Sequence, residues 1–158
     1  MNKVYKTSTF MQKCTEKFPF EADIKALTCD EKVIYAAGSD GLFKLCDGKW
    51  FACGERVPFT CVCSFGNVIY AVSGNTVYSV SENDIKLVQT FDEEITAMGG
   101  ETKLYILTPT RLYKYENGEF VFEQETEFDC YCLADKNGKI CIANDRSVQR
   151  LEGKRKSW

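Results

Sequence analysis

The sequence contains no histidine. That absence excludes Ser-His-Asp and Cys-His catalysis, histidine metal sites and the commonest general base at neutral pH. It also lacks any run of about 18 apolar residues, so no membrane-crossing helix is predicted and no membrane partner is expected. The first residues, Met1-Asn2-Lys3-Val4-Tyr5-Lys6-Thr7, carry no apolar core of the signal-peptide kind, which predicts a cytoplasmic chain. An excess of positive charge is missing too. Twenty Lys and Arg face 23 Asp and Glu, for a net charge of −3, so no nucleic-acid partner is expected. Lys154-Arg155-Lys156 reads as a solvated tail. No glycine-rich loop of the phosphate-cradling kind is found, and no pair of carboxylates stands out by spacing as glycoside hydrolysis would need.

What is present is a chain of ordinary single-domain length, 158 residues, with 44% hydrophobic and 27% charged residues. Aromatics make up 13%, mostly Tyr and Phe, which favours strands. Nine cysteines are an odd number, and in a reducing compartment they read as free thiols acting as small hydrophobes.

The chain repeats itself. Gly41-Leu42-Phe43-Lys44-Leu45, Thr76-Val77-Tyr78-Ser79-Val80, Arg111-Leu112-Tyr113-Lys114-Tyr115 and Ser147-Val148-Gln149-Arg150-Leu151 recur every 35 or 36 residues. A second register keeps the same period: Val33-Ile34-Tyr35-Ala36, Val68-Ile69-Tyr70-Ala71, Lys103-Leu104-Tyr105-Ile106 and Lys139-Ile140-Cys141-Ile142. The units fall at about 24–55, 56–93, 94–129 and 130–158.

Each unit reads as four short strands. In the first they are 24–28, 33–37, 42–45 and 50–53, with turns at Gly38-Ser39-Asp40-Gly41 and Asp47-Gly48. Asp-Gly and Asn-Gly supply the positive φ angles of two-residue hairpins. Helical repeats of similar period need apolar residues three and four apart, and these segments are too short and too β-branched for that. The expected fold is therefore all-β: a β-propeller of about four blades, each a four-stranded antiparallel meander, standing alone or forming an arc of a larger propeller.

Ile34-Tyr35-Ala36-Ala37-Gly38-Ser39-Asp40-Gly41-Leu42-Phe43-Lys44-Leu45 resembles the repeat of regulator-type propellers in bacterial sensor proteins. The stretch from Gly138 to Leu151 is similar to the NHL-type propeller repeat. Together the resemblance covers roughly residues 23–151. The Trp-Asp dipeptide of WD repeats is absent, Gly99-Gly100 is misplaced for kelch, and Cys46-Asp47-Gly48-Lys49-Trp50 lacks the Asp-box spacing. What the resemblance implies is a binding or sensing scaffold, with no particular ligand.

The fourth unit stops before a full outer strand, while Phe10-Met11-Gln12-Lys13-Cys14 and Phe18-Pro19-Phe20 resemble Trp50-Phe51-Ala52-Cys53 and Val57-Pro58-Phe59. Residues 9–14, within a candidate closing segment 1–20, are expected to complete the last blade and close the ring. The alternatives are a homodimer that completes a larger ring and a fragment of a longer propeller.

Candidate site residues follow from the repeat and its breaks. Cys61-Val62-Cys63 and Cys130-Tyr131-Cys132 each put two sulfurs on one strand face, and convergence in a central channel would suit a soft metal. The two pairs read as about one residue out of phase, and the competing reading is small buried core residues. No cofactor is expected. Tyr35, Tyr70 and Tyr105, like Phe43, Tyr78 and Tyr113, read as blade-to-blade packing rather than a ligand ring. The acidic run Asp92-Glu93-Glu94 reads as a solvated loop. The turns carrying Asp40, Asn75, Arg111, Asp145 and Arg146 are the expected docking points for a protein, glycan or small molecule. The expected function is thus a non-catalytic binding or interaction module, with a carbohydrate-active enzyme or a structural part of a larger assembly as the alternatives.

Overall fold

A computed structural model of the chain describes residues 18–81, 84–126 and 129–151. The proposed closing strand at 9–14 and the chain beyond Leu151 lie outside them. Among the described residues every regular element is a strand, and the chain folds as a β-propeller of four blades.

Blade 1 comprises β1 (Ile24–Cys29), β2 (Ile34–Gly38), β3 (Gly41–Cys46) and β4 (Lys49–Cys53). Blade 2 comprises β5 (Cys61–Phe65), β6 (Val68–Ser73), β7 (Thr76–Ser81) and β8 (Asp84–Thr90). Blade 3 comprises β9 (Ala97–Gly99), β10 (Tyr105–Leu107), β11 (Arg111–Glu116) and β12 (Glu119–Glu125). In blade 4 the described strands are β13 (Cys132–Lys136), β14 (Lys139–Ala143) and β15 (Val148–Leu151). Each sheet is a meander in which chain neighbours pair antiparallel.

Local chemistry sets the turns. Asp47 and Gly48 sit at φ 50° and 76°, and Asn117 and Gly118 at 51° and 87°, the conformation that lets a two-residue turn follow strand twist. Gly100 is required more strictly. At φ 147°, a Cβ there would lie 1.8 Å from the Lys103 carbonyl oxygen.

The first strands of successive blades lie side by side, β1 on β5, β5 on β9 and β9 on β13, so they are innermost. Second strands of blades 1 to 3 are largely buried on both faces, as their apolar runs require. Three cores hold the stack together. Tyr35, Ala37 and Leu42 of blade 1 meet Val62, Ile69 and Val80 of blade 2. Tyr70, Val72 and Val77 meet Leu104, Ile106 and Phe120 of blade 3. Tyr105, Leu107 and Leu112 meet Ile140 and Ile142 of blade 4. An aromatic from the preceding link stands edge-on to the third-strand aromatic in three blades: Phe20 on Phe43, Phe59 on Tyr78 and Phe91 on Tyr113.

Candidate interaction surface

The turns between second and third strands lie on one side of the propeller; Asp40, Asn75 and Arg146 hold equivalent places in them, Asp145 precedes Arg146, and Arg111 opens β11 beside the third turn. There the turns clamp the chain's own links. The Phe59 amide donates to the Gly38 carbonyl at 2.9 Å, the Ile95 amide to Gly74 at 3.0 Å and the Thr126 amide to Thr110 at 2.8 Å. Asp40 is ion-paired with Arg56. Asn75 Nδ2 donates to the Phe91 carbonyl at 2.7 Å, and the Phe91 amide returns a bond to Asn75 O at 2.8 Å. Beside Arg111, Glu93 Oε1 accepts from the hydroxyls of Thr108 (2.9 Å) and Thr110 (2.6 Å). One member of the acidic run is thus a brace between link and turn, which sequence spacing did not reveal. Arg111 itself is kept firmly charged by the Tyr113 hydroxyl, with the carboxylates of Glu93 and Asp92 nearby. Asp145 and Arg146 are exposed in a turn fastened by Asn144 Oδ1, which accepts from the amides of Arg146 (2.9 Å) and Ser147 (2.8 Å).

The cysteine pairs do not converge. Cys61 pairs across the sheet with Val72 and Cys132 with Ala143, which are equivalent positions, so the pairs are offset by two residues rather than one. Cys61 and Cys63 pack against the junction of blades 2 and 3, where burial raises both thiols, Cys63 to about 12. Cys130 precedes β13 in the junction of blades 3 and 4, while Cys132 is exposed on the far side of blade 4. No three His, Cys, Asp or Glu among the described residues are placed to hold a metal ion.

The two ends of the blade stack differ from everything between them. On blade 1, the face turned away from blade 2 presents Leu27, Ile34, Phe43, Leu45 and Trp50, as the cross-strand register Leu27–Ala36–Phe43 and Ile34–Leu45–Trp50 requires. In blade 2 the matching residues Val62 and Ile69 are 7% and 4% exposed, because blade 1 covers them. In blade 1, Leu27 and Ile34 are 60% and 41% exposed. Phe20 covers only part of this face, at 4.8 Å from the Phe43 ring and 5.3 Å from Trp50.

The opposite end is the face of blade 4 turned away from blade 3. It carries Cys132, Ala134 and Lys136 on β13, Lys139, Cys141 and Ala143 on β14, and Val148 and Arg150 on β15. Cys141 stands where Tyr35, Tyr70 and Tyr105 make the earlier junctions. Val148 is 74% exposed, whereas its equivalents Leu42, Val77 and Leu112 are fully buried. The aligned repeat already showed tyrosine giving way to cysteine; what it could not show was that no blade among the described residues covers that position.

Over blade 1, a cleft of about 430 Å³ opens among Phe20, Asp40, Phe43, Trp50 and Arg56. The Trp50 indole Nε1 is buried there without an acceptor among the described residues. At the internal junction, the matching Ile85 is met by Gly54, at the end of blade 1's fourth strand.

No family model matches this chain, and no curated protein does. Solved structures do. The computationally designed Ika4 protein aligns over 86% of this chain and 94% of its own, with TM-score 0.67 and 11% identity. The extracellular domain of BT4673 from B. thetaiotaomicron, named as a hybrid two component system, aligns over 87% of this chain and 22% of its own, at TM-score 0.72 and 13% identity. The computationally designed Ika8 protein aligns over 80% of this chain and 45% of its own, at TM-score 0.65 and 13% identity. The chain thus spans under half the length of the last two. Such low identities establish shared architecture alone, and that architecture is the β-propeller.

Proposed function

We propose that this chain is a non-catalytic protein-interaction module whose partners dock on the two end faces of the blade stack. The observation that carries this reading is the exposure of Val148, whose equivalents Leu42, Val77 and Leu112 are fully buried at all three internal junctions, together with that of Leu27, whose equivalent Val62 is buried and whose equivalents Met98 and Leu133 are half-buried. Apolar side chains grouped on one sheet face, with a polar rim, mark a contact surface rather than ordinary surface scatter. The turn side is less favoured, because Asp40 and Asn75 are engaged with the chain's own links. The match to a two component system domain is in keeping with the regulator-type resemblance of the repeat and with a sensing or binding scaffold. A reducing, cytoplasmic setting is supported by the eight described cysteines, all of them free.

The test places a photo-crosslinking amino acid at Leu27, at Val148 and, as a control on the turn side, at Asp145 in the living cell. Protein adducts from Leu27 and Val148 but not from Asp145 are expected. Adducts from Asp145 alone would move the surface to the turns and overturn the reading.

A further inference from the structure

Resting on that reading of the end faces, we propose that the partner is a second copy of this chain. Blade 4 of each copy packs on blade 1 of the other, so that two copies close a ring of eight blades.

Side-chain size points to this pairing. Each internal junction joins the forward face of one blade to the rear face of the next. At the open ends, the forward face of blade 4 is lined by the small Cys132, Ala134, Cys141 and Ala143. The rear face of blade 1 is lined by the bulky Leu27, Ile34, Phe43, Leu45 and Trp50. Small residues facing large ones let two sheets interdigitate at interior density.

Charge points the same way. Lys136, Lys139 and Arg150 lie on the forward face of blade 4. At the junction of blades 3 and 4, the inner hairpin of one blade reaches the inner strand of the next: the Glu101 and Thr102 amides donate to Asp135 Oδ2 at 3.2 and 3.3 Å. Repeating that step brings the Lys136–Lys139 hairpin to the end of β1, where Cys29 is the equivalent of Asp135 and Asp30-Glu31 follow directly. Opposite charges thus meet at the rim, where they steer encounter and fix register.

The cleft over Trp50 supplies a third reason. It occupies the place that a preceding blade's fourth strand takes at the junction of blades 1 and 2, where Gly54 approaches Ile85. Backbone carbonyls of such a strand would offer the buried Trp50 N–H an acceptor.

Exposure of both end faces favours a second copy over closure within one chain. Leu27, Ile34 and Val148 are exposed in the same molecule, so its own end faces are not packed on each other. The four blades align with 45% of the Ika8 chain, in keeping with an arc of a propeller about twice as long. A head-to-tail contact whose rotation closes after two copies gives a two-fold ring without free edges.

Light scattering on the purified full chain under reducing conditions tests this. The expected mass is twice the 18.0 kDa of one chain. Leu27→Asp and Val148→Asp, both at exposed positions, should each weaken association by about tenfold or more while leaving the circular dichroism spectrum unchanged. Mixing the two variants should restore a dimer, because one junction then keeps both intact faces. Contacts between like faces would leave one single variant fully dimeric instead. Lys139→Glu should weaken the dimer, and Glu31→Lys in the same chain should recover it.

A monomer throughout about 1–100 μM overturns the proposal. So does a larger open oligomer, or a dimer indifferent to both single substitutions. If the chain is monomeric yet cross-links from Leu27 or Val148 to other proteins, the docking faces stand and only the second copy is lost. If it is monomeric and neither position cross-links, both readings fall.

Discussion

Blades 1 and 2 carry nearly the same rear face, yet the two faces live in different solvents. Val62 and Ile69 of blade 2 lie in a dry junction, while Leu27 and Ile34 at the same strand positions of blade 1 stand largely in water. At the other end, Leu112 is fully buried and its equivalent Val148 is not. Residue type is conserved along the repeat, so composition does not create this difference; the presence or absence of a neighbouring blade does. Hydrophobic stabilisation scales with apolar area removed from water, so equivalent side chains contribute very unequally to this fold.

The sharpest way to break the comparison is to truncate both members of one pair. Leu112→Ala should lower stability by about 2–5 kcal/mol, read from urea or thermal unfolding, because a cavity opens in a closed junction. Val148→Ala should change it by less than about 0.5 kcal/mol in the monomer. Equal effects would mean the exposed face is covered within one chain.

Gly100→Ala comes next. A Cβ cannot fit against the Lys103 carbonyl at that φ, so a cost of roughly 1–3 kcal/mol is expected. Gly118→Ala in blade 3 lacks any such clash within 4 Å and should cost less, its strain coming from φ alone. Parallel melting curves of the two variants check the ranking.

Thiol chemistry separates the faces more gently. Alkylation near pH 8 should label exposed Cys132 well before Cys63, whose thiol burial raises to about 12. The folded pKa lies above the ordinary value of 9.0, so the folded state holds its proton more tightly than the unfolded chain. That contribution is complete below pH 9 and is lost as pH rises towards 12. Denaturant midpoints across that window should fall, and Cys63→Ala should flatten the decline.

A small effect is also expected at Arg56–Asp40. Both side chains are more than half exposed, so Arg56→Ala should cost about 1 kcal/mol or less, and less again at high salt. A larger loss would indicate that the cleft above Trp50 depends on the pair.

Much of this molecule could be read from the chain itself. Period, strand count and hairpin positions follow from local signals: alternation, β-branched runs, and Asp47-Gly48 and Asn117-Gly118 at turns that only positive φ can close. The repeated Tyr35, Tyr70 and Tyr105 announced blade packing, and all three are buried in junction cores. These features are local, or repeat at a fixed interval, so a linear sequence records them.

Tertiary structure alone decided the rest. Only folding revealed that Glu93 braces Thr108 and Thr110, that Asn75 serves the link at Phe91, and that Cys61-Cys63 and Cys130-Cys132 end in different junctions. Each depends on contacts between segments whose separation carries no periodic signature. The open ends are the clearest case. Leu27 and Val148 look like core residues because the repeat makes them so. Whether water or a neighbouring sheet covers them is a property of the whole stack, and no segment of sequence contains it.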